Sequence, residues 1–370
     1  ALRGGAWEAA LDLRATTLPA AALDRAWPEG FEAGLRRAVL GAMPSGTLRS
    51  ARLALSLRAP ETFGQIELVE ARAGLEATDA VFALGQDRRV AVAAAEVSAS
   101  FRPDGLRLES LSARLPAVSG AAAGPTVTAR GVAERRGAGW LARIDVGVDA
   151  VRFADLGAYW PEGLAPNVRR WLVQNVTAGE ARDGAWRVEA ELPEALDAVR
   201  VSALSGRAEA SGATVHWLRP IPPVQGASGV AEFTLDAVSI TARGGARQAR
   251  ADTGGRGAFE VREANVRFHG LDAEPGSADM ALQVSGPLAE AIAVIKHPRL
   301  KLFERKPLEL TVAGGQADAR LRIGFPLLAD LPVERLRIDA AARIADAQLR
   351  GALLGHDLLD GRFDLSATTE

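Results

Sequence analysis

Four histidines, a handful of acids, one glycine-rich turn and one basic cluster are the residues of this 370-residue chain that could do chemistry. His216, His269, His297 and His356 lie far apart. None has a histidine or carboxylate at a metal-ligand spacing such as H-x-x-x-H or H-E-x-x-H. There is no cysteine, so thiolate–zinc sites, disulfides and cysteine nucleophiles are excluded. Glycoside hydrolysis needs two acids set across a cleft. Glu29, Glu162, Glu189 and Glu191 fall instead on polar strand faces or in turns, where a solvated surface is the default. Gly254-Gly255-Arg256-Gly257 lacks the lysine of a phosphate loop and reads as a flexible β-turn, and no G-x-S-x-G elbow occurs. The expectation is a non-enzymatic protein with no metal and no cofactor. One cluster stands out: Lys296, His297, Arg299, Lys301, Arg305 and Lys306 hold every lysine of the chain. Such a patch attracts phosphate headgroups or an anionic membrane surface; a solvated linker after a short helix is the competing reading.

The elements that would position these residues are mostly strands. Apolar and polar residues alternate through Leu53-Leu55-Leu57, Ile144-Val146-Val148, Trp186-Val188-Ala190-Leu192, Ala231-Phe233-Leu235, Leu282-Val284, Ala319 to Phe325 and Leu336 to Ile344. A period of two marks strands with one apolar and one polar face. Pro103-Asp104-Gly105, Asp183-Gly184 and Asp360-Gly361 supply the positive φ of tight hairpin turns. Aromatic residues are only 5% of the chain, and many inward positions are Ala. That suits a sheet whose apolar face no second sheet closes. Helical periodicity is confined to two places. Pro166 opens a helix over 165–176, with Val168, Trp171, Leu172 and Val176 in one stripe and Gly179 as its stop. A short helix follows Pro287, from Leu288 to Ile295.

The chain also repeats. Shifted by 133 residues, Trp27-Pro28-Glu29-Gly30 falls on Trp160-Pro161-Glu162-Gly163, Arg36-Arg37 on Arg169-Arg170, and Gly46 on Gly179. The helix stripe Leu35, Ala38, Val39 and Met43 falls on Val168, Trp171, Leu172 and Val176. A weaker third echo begins near Lys301 and runs through Pro307, Gly314-Gly315 and the strand closed by Pro326. This divides the chain into a first unit over 1–150, a second over 151–290 and the start of a third over 291–370. Trp27, Pro28 and Gly30, like Trp160, Pro161, Gly163, Arg169 and Trp171, read as a structural device: a tryptophan plugs the end of a sheet, proline fixes the turn and a short helix crosses the β-layer.

The net charge of −2 gives no reason to bind nucleic acid. No apolar run reaches the roughly 18 residues needed to span a bilayer. The chain begins at Ala, which reads as an excised piece or a mature form.

The block Phe153-Ala154-Asp155-Leu156, Tyr159-Trp160-Pro161, Leu164-Ala165-Pro166, Arg169-Arg170-Trp171-Leu172 and Gly179 resembles the signature of YhdP-type proteins of the AsmA-like superfamily. So do Ala213-Thr214-Val215-His216-Trp217 with Pro220-Ile221-Pro222-Pro223-Val224 and Gly229, and Gly324-Phe325-Pro326-Leu327. Together these cover most of 150–365. The first copy departs from the pattern: Ala26 and Ala38 stand where the second has Tyr159 and Trp171. The resemblance implies a periplasmic segment of a bacterial bridge-like lipid transport protein, held at the inner membrane through parts absent from this chain. It implies an elongated, curved antiparallel sheet forming a repetitive β-groove, with short helices between units. Phospholipid or another acyl-chain lipid would be the cargo on its way to the outer membrane, with envelope proteins at the ends. Under that reading the groove is lined by Leu55, Leu57, Val146, Val148, Val188, Val215, Phe233, Leu235, Ile240, Val266, Phe268, Leu321, Ile323, Leu336 and Ile338. The alternative is a structural or interaction β-scaffold of the envelope without a lipid groove.

Overall fold

The computed structural model describes residues 2–3, 6–26, 40–41, 43–60, 66–83, 89–118, 120, 122–160, 165–193, 199–250, 255–271, 276–300, 311–328, 331–353 and 356–369. The motif at Trp27, Pro28, Glu29 and Gly30, and Pro161, Glu162 and Gly163 of the second copy, lie outside them, as do Lys301, Arg305 and Lys306. The protein is mainly β, built from long antiparallel strands. Two compact units divide it: residues 1–150 with 183–206, and residues 151–182 with 207–370. They are a division by packing, distinct from the 133-residue repeat of the sequence.

In the first unit, β1 (Leu2–Arg3), β2 (Ala6–Pro19), β3 (Ser45–Pro60), β4 (Glu67–Ala83), β5 (Arg89–Arg102), β6 (Gly105–Arg114), β7 (Thr126–Arg136) and β8 (Gly139–Arg152) pair antiparallel in chain order. Register lines the alternating residues into rows. One runs Leu13, Leu53, Ala73, Ala99, Leu108, Gly131 and Ile144; the next runs Ala15, Ala51, Leu75, Val97, Leu111, Ala129 and Val146. A period of two on seven neighbouring strands thus makes one apolar face. The row beyond, through Leu48, Ala77, Ala95 and Ala113, joins a buried cluster with Ala20, Met43, Ala80 and Val92.

The second unit repeats the design. β11 (Val224–Thr234), β12 (Ala237–Ala249), β13 (Arg256–His269), β14 (Ser277–Pro287), β15 (Thr311–Pro326), β16 (Arg337–Leu353) and β17 (His356–Thr368) pair antiparallel in chain order. Among the described residues no pairing returns β17 to an earlier strand of the unit, so its sheet is open rather than a closed barrel. The boundary between units runs through β9 (Val176–Pro193) and β10 (Arg200–Val215).

The helices form where proline and periodicity place them. Pro166–Asn175 starts on Pro166 at its first turn and carries Val168 buried; Leu288–Ile295 follows Pro287. Gly179 does not stop the first helix. The chain enters β9 directly at Val176, and Gly179 sits inside that strand with φ 87°. Asp183-Gly184 and Asp360-Gly361 are likewise not hairpin turns. Both lie within β9 and β17, with Asp183 at φ 52° and Asp360 at φ 57°. A positive φ serves a β-bulge as well as a turn, and the strands simply continue through it. Pro103-Asp104 does connect β5 to β6 as expected.

One bulge device recurs three times. Gly46 (φ 127°) faces Ala80, which follows Asp79 (φ 50°). Gly179 faces Gly212 (φ 65°) and Ala213; Gly315 (φ 122°) faces Ala347, which follows Asp346 (φ 52°). Ala80, Ala213 and Ala347 are all buried. The spacing stays close to the repeat interval of the sequence, so the recurrence has a backbone counterpart near the start of β3, β9 and β15. A Cβ on Gly46 would lie 2.6 Å from the Ala80 Cα. Gly46→Ala is therefore expected to cost at least about 1–3 kcal/mol from backbone strain alone. Denaturant titration checks this; a neutral substitution would mean the close approach relaxes freely.

Candidate functional site

The candidate site is the apolar face of each sheet. In the second unit its rows read Phe233, Val238, Phe268, Ala278 and Phe325, then Ile240, Val266, Met280, Ile323 and Ile338, then Ala242, Ala264, Leu282, Leu321 and Ala340, then Val284, Ala319 and Ala342, then Ala317 and Ile344. Phe325 and Ala317 are eight residues apart on one strand, about 27 Å at ~3.4 Å per residue.

Protein covers both ends of this face. At one end the helix Pro166–Asn175, Trp160, Leu218, Ile221, Leu300 and Leu327 pack onto the two outermost rows. At the other, Leu288, Ala291 and Ile292 of the second helix pack with Ala317, Ile344, Ala347 and Leu349. Neither cluster includes Leu282, Leu321, Ala319, Ala340 or Ala342, which remain half-buried. The expected groove lining therefore does not form one uniform stripe. Phe268, 0% exposed, and Leu336 are sealed beneath protein and act as core. Phe233, Ile240, Val266, Ile323 and Ile338 are half-buried at the edge of that core. Leu321 lies on the uncovered stretch. Val215 is half-buried at the end of β10. Leu235 is outside the strand: it sits, largely exposed, in the turn where the Thr234 hydroxyl accepts from Ala237 N–H and donates to Asp236.

In the first unit Leu55 is buried, and Leu57, Val146, Val148 and Val188 are half-buried. Leu11, Leu13 and Leu106 stand in the same rows with 44%, 45% and 44% of their surface exposed. Leu11 and Leu13 are neighbours on β2 and Leu106 lies four strands away on the same face; exposed apolar groups on one face are of the kind that marks an interaction surface.

The opposite faces are charged and internally paired. In the first unit Asp145 bridges Arg187 (2.9 Å) and Arg130 (3.4 Å), Glu70 bridges Arg102 (2.9 Å) and Arg72 (3.0 Å), and Arg143 reaches Glu189 (3.4 Å). In the second, Arg262 pairs with Asp318, Arg343 with Asp364, and His269 with Asp279. The hydrogen bond from Arg187 holds the Asp145 carboxyl below the usual carboxylate range, and Arg102 does the same for Glu70. A depressed carboxylate contributes stability above its ordinary pKa and loses it as pH falls through the lowered value, here below about 4. These exposed pairs are individually weak and salt-screened. Their consequence is that many charges of the polar face have a partner within the same face.

The signature residues meet at one place. The Arg169 guanidinium donates from Nε to the Trp160 carbonyl (2.8 Å) and from Nη2 to the Gly157 carbonyl (2.7 Å). It thereby fastens the helix to the turn before it. Trp171 lays its ring 5.2 Å from that of Phe268. Both tryptophans thus pack against the core. Arg169→Lys keeps the charge but cannot reach both carbonyls, and hydrogen bonds from charged donors contribute about 1.5–3 kcal/mol. Thermal unfolding is expected to show a loss of that order; an unchanged midpoint would contradict the clamp.

The remaining chemical candidates are dispersed. His216 hydrogen-bonds Thr177, with burial and Arg219 pushing its imidazole pKa down. His297 accepts from Arg299 N–H, and Glu191 pairs with Arg200. Among the described residues no group of three or more acids or histidines could hold a metal, and no helix is long and apolar enough to cross a membrane.

The second unit also holds a cleft of about 610 Å³ where its helix meets the covered end of the sheet, lined by Arg170, Trp171, Trp217, Arg219, Arg299 and Phe325 among others. The sequence singled out Arg299 in the basic cluster and Arg170 in the signature block, but nothing in it joined them to each other or to Arg219. Arg170 and Arg219 are distant in sequence and become neighbours only through the fold.

The fold and its two faces define a class: an open antiparallel sheet protein with one charged face and one apolar face. No protein-family model, no curated protein and no solved structure matches the chain.

Proposed function

We propose that this chain is a non-enzymatic carrier segment that lays the acyl chains of phospholipids along the apolar faces of its sheets. The observation that carries the reading is the pairing of an apolar face, exposed at Leu13 and Leu106 and half-buried at Leu321 outside the clusters that cover its ends, with an opposite face that carries ion pairs such as Asp145–Arg187 and Arg262–Asp318. An exposed apolar face seeks an apolar cover, and each buried methylene contributes about 0.8 kcal/mol. Such contacts have no direction, so a chain held by them can slide. The resemblance of the Trp160–Trp171 block to YhdP-type proteins of the AsmA-like superfamily supports the same reading. It extends it to a periplasmic bridge between inner and outer membranes, anchored at the inner membrane through parts absent from this chain. Mass spectrometry of an organic extract of the purified protein tests it. Co-purified phospholipid is the expected result. Repeated lipid-free preparations that also reject added fluorescent phospholipid would leave the envelope-scaffold alternative.

A further inference from the structure

The cleft beside the helix Pro166–Asn175 has two chemistries. Its floor is apolar: Leu218, Phe325 and Leu327 are buried, and Leu218 and Phe325 belong to the same core as the sheet rows. A second, 20 Å³ void adjoins the same Trp217, Leu218 and Phe325 and reaches Met280, Ile323 and Ile338 of the next row. Its rim is cationic. Arg170, Arg219 and Arg299 line it, and among its described lining residues there is no carboxylate. The guanidinium of Arg299 is fixed in place, donating from Nε to the Arg219 carbonyl (3.1 Å) and from Nη2 to the Leu331 carbonyl (3.0 Å). Arg219 donates from Nη2 to the Gln174 carbonyl (2.8 Å). Carbonyls orient these side chains without neutralising them. Many arginines on the sheets face carboxylates, as Arg187 faces Asp145 and Arg262 faces Asp318; among the described residues the three here face none, and they stand above an apolar floor beside Trp171 and Trp217, whose rings suit a boundary between apolar and wet surroundings.

We infer that this cleft holds the phosphate headgroup of an acyl lipid, with Arg170, Arg219 and Arg299 around the phosphate and the chain directed over Phe325 toward the Ile323 row. The inference rests on the reading of the sheet face as an acyl surface. Arginine forks match phosphate oxygens in pairs, and about 610 Å³ lies within the range of sites that enclose a small ligand. The cleft would be the point where a sliding lipid is stopped by its headgroup.

Calorimetric titration of the full chain with dodecyl phosphate, dodecyl maltoside and inorganic phosphate, each amphiphile below its micelle concentration, tests this. Dodecyl phosphate is expected to bind at least tenfold more tightly than dodecyl maltoside. The Arg170→Gln/Arg219→Gln variant should lose that preference while keeping the maltoside affinity, which shows that the fold survives the loss of the Arg219–Gln174 hydrogen bond. A preference that survives in the variant would overturn the inference. So would inorganic phosphate binding as tightly as dodecyl phosphate, which would make the cleft a plain anion site. Equal binding of the two amphiphiles would overturn the headgroup site and leave the acyl surface standing; failure of both to bind would sink the acyl surface as well.

Discussion

Replacing Phe268 with Ala is expected to lower the free energy of unfolding of the second unit by about 3–5 kcal/mol. Phe268 has no exposed surface and stacks against Trp171 with ring planes 54° apart. Its row joins Val238 and Ala278 across β12, β13 and β14. Truncation leaves a void under the helix that carries Val168, and close-packed surroundings collapse only in part. The same truncation at Leu321, on the uncovered stretch of the same face, removes a side chain that is already partly in water and should cost distinctly less. Guanidinium denaturation followed by tryptophan fluorescence reads both. Equal losses at the two positions would mean that the whole face is core.

The second large effect concerns binding. Leu13→Glu with Leu321→Glu places one carboxylate on the apolar face of each unit. Co-purified phospholipid is expected to fall at least tenfold, because an acyl chain laid over either position would bury an unpaired charge. Both side chains are partly exposed, so the glutamates remain hydrated and the melting midpoint should change little. Arg322→Glu, on the opposite face, should leave the lipid content unchanged. Equal loss in the polar-face control would trace the effect to net charge rather than to the face.

Much of this fold was legible in the chain itself. Strict alternation located the long strands because a period of two has no other explanation over so many segments, and the cross-strand rows follow from it directly. Proline at the first turn of one helix, and just before the other, located both principal helices. The misreadings have physical causes. Asp183-Gly184 and Asp360-Gly361 announce a positive φ, but a bulge inside a strand uses the same backbone conformation as a hairpin turn. Leu235 continues the apolar alternation by one residue into a turn fixed by Thr234, and periodicity cannot see a hydroxyl ending the strand. Phe268 and Leu321 are equivalent by alternation; what separates them is where the helix docks, a long-range event. The arginine cleft was the least legible feature. Residues 170, 219 and 299 share no spacing, and the basic cluster around Arg299 marks charge density without showing that a helix and a loop bring two further guanidiniums beside it.

The most direct test of the account is photocrosslinking from single positions on the two faces. With benzoylphenylalanine at Leu13 or Leu321, irradiation of cells expressing the full chain is expected to attach phospholipid to the protein, visible as a mass shift. At Arg14 or Arg322, adjacent in sequence and on the charged face, it should attach none. Lipid adducts of equal yield at all four positions, or at none, would contradict the claim that the apolar face is the working surface.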